Sequence, residues 1–155
     1  MAHEHSETIS TLNSLISTTI DSITGYEDSA ENIHDQRLAE IFRQRANERQ
    51  QVVQELRAEV RRLGGEPEEG GSFMGKAHQR FEDLKAAVTG RDEKAVINEV
   101  ERGEDYLRDK WQAALQSGDL KGESHDLVER CYQSVKAGHN QMSELKHSME
   151  AGSHA

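Results

Sequence analysis

The chain contains very little proline, cysteine or continuous apolar sequence, and each shortage excludes a class of protein. One proline, Pro67, stands among 155 residues, so almost the whole chain is free to be helical. A single cysteine, Cys131, excludes a disulfide framework and a cysteine-based zinc site. No run approaches the ~18 apolar residues of a membrane-spanning helix, and the polar first residues contain no apolar segment of a signal peptide. We therefore expect one cytoplasmic domain.

Positive charge is also scarce, which limits the partners. The formal net charge is −10 at pH 7, and no cluster of lysine and arginine is present that could bind phosphates. The same charge disfavours docking on anionic lipid. We expect no nucleic-acid partner and no membrane partner. A homodimer remains open, and the sequence identifies no protein partner.

Apolar residues recur at steps of three and four along most of the chain, which predicts helices. Asp35 and Ser124 are each placed to cap a helix N-terminus, and Gly64 is placed to end one. The predicted helices cover residues 6–34, 35–63, 73–89, 93–116 and 124–149. Residues 64–71, with four glycines, form the clear linker. Residues 1–5 and 151–155 are predicted to be disordered ends of a single domain over 6–150.

The connection lengths predict the architecture. Short connections near residue 34 and over 117–123 make each flanking pair of long helices antiparallel. The connection over 64–92 is long enough to return along the bundle and holds its own short helix. We therefore predict an all-α, ferritin-like four-helix bundle, built from two antiparallel hairpins with a short extra helix in the long crossover.

Polar residues interrupt the apolar stripes at one predicted level of the bundle, and counting along the helices brings together seven of them. They are Glu27, for which Asp21 is the alternative on the same helix, and Arg45, Glu48, Arg49, Glu101, Glu104 and His139. The preferred interpretation is a buried network in which Arg49 pairs with Glu104 or Glu48 and His139 bonds a carboxylate, since buried charges must be paired. This interpretation needs no cofactor and predicts no catalytic residue.

The alternative interpretation is a di-iron or di-manganese carboxylate centre that binds or oxidises iron. Its ligands would be Glu27, Glu48, Glu101, Glu104 and His139, because carboxylates and imidazole suit Fe and Mn. The usual bundle site has a Glu-x-x-His motif on each of two helices, whereas this level has one histidine. Arg45 and Arg49 would also place positive charge beside the metals. We therefore favour the ion-pair core and a protein that is not an enzyme.

Two further residues have structural interpretations. Gly103, inside a predicted helix, is expected to allow close approach of another helix. Cys131 has only Arg130 as a nearby cationic neighbour in sequence. We expect it to be a small buried apolar residue rather than a nucleophile.

Several stretches together resemble a family of uncharacterised bacterial ferritin-like four-helix-bundle proteins, known mainly as a domain of unknown function. The stretches are Leu12-Asn13-Ser14-Leu15-Ile16, Asp21, Gly25-Tyr26, Glu55-Leu56, Arg61-Arg62-Leu63-Gly64-Gly65-Glu66-Pro67, Gly71-Ser72, His78, Asp83-Leu84-Lys85-Ala86-Ala87, Glu101-Arg102-Gly103-Glu104-Asp105 and His139. The resemblance implies a cytosolic bundle with no established activity and a suspected role in stress. The chain departs from the family pattern at residues 78–81 and at Val100. We expect a non-enzymatic bundle that acts through protein contacts.

Overall fold

Four long helices make up the computed structural model, which describes residues 5–71 and 93–152, with side chains up to residue 149. The helices are α1 (Ser6–Asn32), α2 (Gln36–Arg62), α3 (Glu93–Gln116) and α4 (Gly122–Gly152). The described ranges contain no strand. Within them, no helix has a stretch apolar enough to cross a bilayer. The short helix predicted over 73–89 and His78 lie outside the described residues.

The boundaries of α2 follow from its end residues. The Asp35 carboxylate accepts hydrogen bonds from the backbone N–H groups of Arg37 and Leu38, at 2.9 and 3.3 Å, which confirms the predicted cap. At the other end, Gly64 has a φ of +87°. The N–H of Gly65 donates to the carbonyl of Val60, so the predicted glycine stop of α2 is also confirmed.

The start of α4 differs from the prediction. The helix begins at Gly122, so Ser124 already lies in its first turn and the predicted serine cap is wrong. The Ser124 hydroxyl instead donates to Glu59 Oε2 at 2.6 Å. Arg62 donates to both oxygens of the same carboxylate at 2.7 Å, and these bonds hold the pKa of Glu59 below its usual range. The Ser124 hydroxyl, which the local sequence pattern predicted to cap the helix, thus binds Glu59 of α2 instead.

Packing contacts pair the helices α1–α2, α3–α4, α1–α3 and α2–α4. These four pairs close a square in which α2 lies diagonally opposite α3, and α1 lies opposite α4. Between α1 and α3, Trp111 donates to Thr19 at 3.3 Å and Tyr26 to Glu104 at 2.7 Å. From one contact to the next, the residue number increases in α1 and decreases in α3, so these two helices are antiparallel.

The same holds between α2 and α4, where Arg45 donates to Gln141 and Ser124 to Glu59, both at 2.6 Å. The short connections from α1 to α2 and from α3 to α4 make those two pairs antiparallel as well, so every neighbouring pair in the square is antiparallel. The apolar core lies inside the square and receives side chains from all four helices. Its largest fully buried apolar members are Trp111, Phe42, Leu12, Ile16, Leu56, Ile97, Leu107 and Met142.

Residues 66–71, which we call the strap, follow α2 and return along the α1–α2 groove. Asn13 Nδ2 donates to the carbonyl of Glu66 at 3.0 Å, and Ser17 Oγ donates to that of Gly70 at 3.1 Å. Asn13 and Ser17 are one helical turn apart in α1, so the strap runs in the same direction as α1. The described start of the crossover thus runs back along the bundle.

Candidate functional site

The centre of the bundle contains an ion pair between Arg49 of α2 and Glu104 of α3. Their side chains are 1% and 2% exposed. Arg49 Nη1 donates to Glu104 Oε1 and Arg49 Nη2 donates to Glu104 Oε2 at 2.8 Å, so the pair is bidentate. Because α2 and α3 are diagonally opposite, this ion pair crosses the core.

The two remaining helices complete the buried pair. From α1, the Tyr26 hydroxyl donates to Glu104 Oε1 at 2.7 Å, and Ser22 Oγ accepts from Arg49 Nη1 at 2.7 Å. From α4, the carbonyl of Val135 accepts from Arg49 Nη2 at 3.4 Å. The guanidinium carbon of Arg49 also lies 5.5 Å from the centre of the Tyr26 ring. All four helices therefore bind one buried arginine–glutamate pair.

Burial and pairing shift the pKa values at this centre. Burial raises the pKa of Tyr26 well above its ordinary value, and the nearby Glu104 carboxylate raises it further. For Arg49, burial is the largest single influence and lowers the pKa. The hydrogen bonds and negative charge of Glu104 outweigh that influence, so the pKa of Arg49 is raised overall. Tyr26 is thus held neutral and Arg49 positively charged.

Gly138 of α4 supplies the space that the arginine occupies. A Cβ atom at this position would lie 2.5 Å from Arg49 Nη2 and 2.9 Å from Arg45 Cδ. Gly138 was not among the residues predicted from the sequence, although a glycine inside a helix and next to His139 is a usable signal. The close approach predicted at Gly103 is wrong, because a Cβ there would meet nothing within 4 Å.

Arg45 and Glu48 lie outside the buried pair. Arg45 Nη1 donates to Glu48 Oε2, and Arg45 Nη2 donates to Gln141 Oε1, both at 2.6 Å. The Arg45 side chain is 12% exposed and that of Glu48 is 50% exposed. Of the two carboxylates considered as partners of Arg49, Glu104 is the one that the structure brings to it.

His139 belongs to a second polar cluster on the α3–α4 seam, together with Asp105 and Arg108. Its Nε2 atom lies 2.6 Å from Asp105 Oδ1 and 3.0 Å from Arg108 Nη1. His139 is 13% exposed, whereas Asp105 is 47% exposed, so one side of the cluster is open to water. We call these three residues the seam cluster.

The other two predicted ligands have separate surroundings. Glu101 accepts from Lys146 Nζ at 3.2 Å across the same seam, and Glu27 is exposed on α1. The five predicted metal ligands therefore belong to different local groups. In the part of the chain that the structure describes, no three His, Cys, Asp or Glu side chains stand together in a position to hold a metal ion.

Cys131 borders a small cavity between α2 and α4. The cavity has a volume of about 170 Å³ and is lined by Glu48, Gln51, Val52, Glu55, Arg130, Cys131 and Ser134. The Cys131 thiol is buried, as predicted, and donates to Glu55 Oε2 at 3.4 Å. Burial and the Glu55 carboxylate raise the pKa of Cys131 to about 12. The thiol is therefore protonated at neutral pH and a poor nucleophile.

One protein family accounts for most of the chain. The family described as Domain of unknown function (DUF2383) matches residues 7–117, and because this is well over half of the chain, the chain belongs to that family. The match includes Tyr26, Arg49 and Glu104 and ends before α4, which carries Gly138 and His139. No protein of curated function matches the chain.

Proposed function

We propose that this member of the DUF2383 family is a non-enzymatic, ferritin-like helical bundle that acts through contacts with other proteins. The observation that carries the proposal is the buried Arg49–Glu104 pair, in which an arginine already holds the most buried carboxylate among the described residues. The charge of that carboxylate is balanced within the chain. The centre thus serves to order the helices rather than to bind a substrate.

The helix arrangement supports the ferritin-like assignment. Neighbouring helices are antiparallel throughout, and α2 lies diagonally opposite α3. A connection between diagonal helices that point the same way must run the length of the bundle, as one long crossover does in ferritin-like folds. The strap begins that course along α1.

The surroundings of the predicted ligands argue against the di-metal alternative. Both carboxylate oxygens of Glu104 accept from Arg49, and Oε1 also accepts from Tyr26. A divalent metal ion would have to displace these donors and lie beside the Arg49 charge in a medium of low dielectric. Glu27 and Glu48 face water instead of the centre. These side chains do not fit a di-metal centre in this arrangement.

A buried ion pair does suit a scaffold. Removing one partner leaves an uncompensated charge in the core, which costs about 3–5 kcal/mol. A slip of α2 by one turn would move Arg49 by about 5.4 Å and break both bonds to Glu104. The pair therefore selects one register of the four helices, and a single register presents one reproducible outer surface to partners.

The proposal is tested by metal loading. The purified chain is incubated anaerobically with Fe(II) or Mn(II), desalted and assayed by elemental analysis, thermal shift and oxygen consumption. We expect no retained metal, an unchanged melting temperature and no catalytic oxidation of ferrous iron. The di-metal alternative predicts about two metal ions per chain, lost in the Glu104→Ala/His139→Ala variant. That result, or catalytic oxygen consumption, would exclude the non-enzymatic assignment.

A further inference from the structure

The strap is held by side chains that bind its backbone. Asn13 uses both ends of its amide, donating to the carbonyl of Glu66 at 3.0 Å and accepting from the N–H of Glu68 at 2.8 Å. Ser17 donates to the carbonyl of Gly70 at 3.1 Å. These contacts come from α1 and reach alternate strap residues, at positions 66, 68 and 70.

The opposite wall of the groove binds the strap in the same way. Arg57 of α2 donates from Nε to the carbonyl of Glu68 at 3.2 Å, and from Nη2 to the carbonyl of Glu69 at 3.3 Å. With those from α1, five hydrogen bonds thus reach main-chain atoms of the strap. We call Asn13, Ser17 and Arg57 the clamp.

The strap's own side chains contribute little to this recognition. Those of Glu66, Glu68 and Glu69 are exposed to solvent. Within the strap, a Cβ at Gly71 would collide with Asp21 Oδ1, so a larger residue there would force the Asp21 side chain to shift. The groove therefore contacts the strap through its main chain, with acidic side chains turned outward near the Arg57 charge.

We propose that the clamp is a recognition site for the main chain of the strap, which holds the strap of its own chain and accepts the strap of a second copy when its own is displaced. A second copy is chosen as the partner because the groove already fits the strap, and any other molecule of this protein contains the same strap. Main-chain hydrogen bonds are the same in either case, as in other proteins that bind extended peptides through their backbone. The strap of the same chain outcompetes that of a second copy because its effective concentration is high, so it occupies the groove in the intact chain.

This inference deepens the proposed function by naming a surface and a partner, and it rests on that function only in assuming action through protein contacts. It does not involve the Arg49–Glu104 pair. Its test uses no metal, and failure of the metal experiment above would leave its outcome unaffected.

Two complementary variants test the proposal. The first, Glu68→Pro/Gly71→Val, disables the strap: proline removes the N–H that Asn13 accepts, and valine places a side chain against Asp21. The second, Asn13→Ala/Arg57→Ala, disables the clamp and leaves the strap intact. If circular dichroism shows that the second variant does not fold, Asn13→Leu/Arg57→Met replaces it, because these side chains fill similar space without a donor or an acceptor. Each variant alone is expected to sediment as a monomer, and their mixture as a one-to-one dimer.

A labelled peptide of residues 64–71 isolates the clamp. We expect it to saturate the strap-disabled variant and to bind the unmodified chain about tenfold more weakly, because the tethered strap competes. Methylating the peptide nitrogen of Glu68 should weaken binding about tenfold, since Asn13 loses its donor. Replacing the three glutamates by glutamine should change binding by less than about threefold, because exposed charges contribute little.

Each result bears on the inference. Proteolysis after Glu69 should become rapid in Glu68→Pro/Gly71→Val, because its strap is released. Continued protection would show that these contacts do not hold the strap. Absence of saturable peptide binding, or equal binding of the methylated peptide, would exclude main-chain recognition by the clamp. Peptide binding without a dimer in the mixture would exclude the second copy as the partner.

Discussion

Glu104 and Asp105 are adjacent in sequence and carry the same charge, yet they lie in opposite environments. Glu104 is 2% exposed, pairs with Arg49 and accepts a hydrogen bond from Tyr26. Asp105 is 47% exposed and shares the seam cluster with His139 and Arg108. A rotation of 100° about the helix axis separates the two side chains. The rotation places Glu104 in the core, where it pairs with Arg49, and Asp105 at the half-exposed seam between α3 and α4.

The energetic difference follows from water. At the buried pair, charge was removed from solvent, so its stability depends on having both partners present. At the seam cluster, water can replace a lost partner, and salt screens the remaining charges. The two sites should therefore respond differently to the same type of substitution.

The largest effect is expected at the buried pair. Arg49→Met should lower the free energy of unfolding by about 3–5 kcal/mol, because Glu104 is left buried and unpaired. The double variant Arg49→Met/Glu104→Leu should recover most of that loss, since it buries no charge. Urea unfolding of both variants measures the difference. Equal destabilisation by the single and the double variant would contradict the account of Arg49 and Glu104 as a coupled pair.

Substitutions of Gly138, beside the buried pair, and Gly103, in open space, compare the two environments through the backbone. Gly138→Ala should destabilise the protein by about 1–3 kcal/mol, because the new methyl group would collide with the two arginines and the buried Arg49 cannot move away. Gly103→Ala is its matched control in open space and should stabilise α3 by about 0.5–1 kcal/mol. Thermal unfolding of the two variants should shift in opposite directions. A shared direction would refute the assignment of Gly138 as space for Arg49.

The buried thiol of Cys131 should make the free energy of unfolding depend on pH. Its pKa is raised to about 12 in the folded chain from an ordinary value of 9.0, so the stability it contributes is complete below pH 9. That contribution is lost as the pH rises from 9 toward 12, because the unfolded chain releases the proton first. Relative to Cys131→Ala, the unmodified chain should lose up to about 1 kcal/mol by pH 10. Urea unfolding at pH 8 and pH 10 measures the change, and a constant difference would contradict the raised pKa.

The smallest effect is expected at the seam cluster. Asp105→Asn should cost about 0.5 kcal/mol and become neutral at high salt, because Asp105 is half exposed. Glu104→Gln is the matched substitution at the neighbouring position and should cost several times more at any salt concentration. Unfolding at low and high ionic strength compares them. A salt-independent loss of more than about 2 kcal/mol in Asp105→Asn would place the seam cluster among the buried interactions.

Local signals predicted the helices well and their tertiary partners less well. The Asp35 cap and the Gly64 stop were correct because both act within one turn of their own helix. Ser124 was assigned to a cap by the same logic but bonds Glu59, which is 65 positions away. The choice of Glu104 over Glu48 as the partner of Arg49 also depends on a distant element. Counting along helices brought these residues to one level, but it could not determine which way each side chain points.

The sequence by itself determined that the described part of the chain is helical, where its long helices lie and which residues could carry charge into the core. Those properties follow from apolar periodicity, glycine and capping residues, all of which act over a few positions. The tertiary structure alone decided that Arg49 and Glu104 meet across the diagonal, that Gly138 makes room for them and that Asp105 remains half in water. These outcomes depend on the rotation and register of whole helices, which are set by packing all four helices at once.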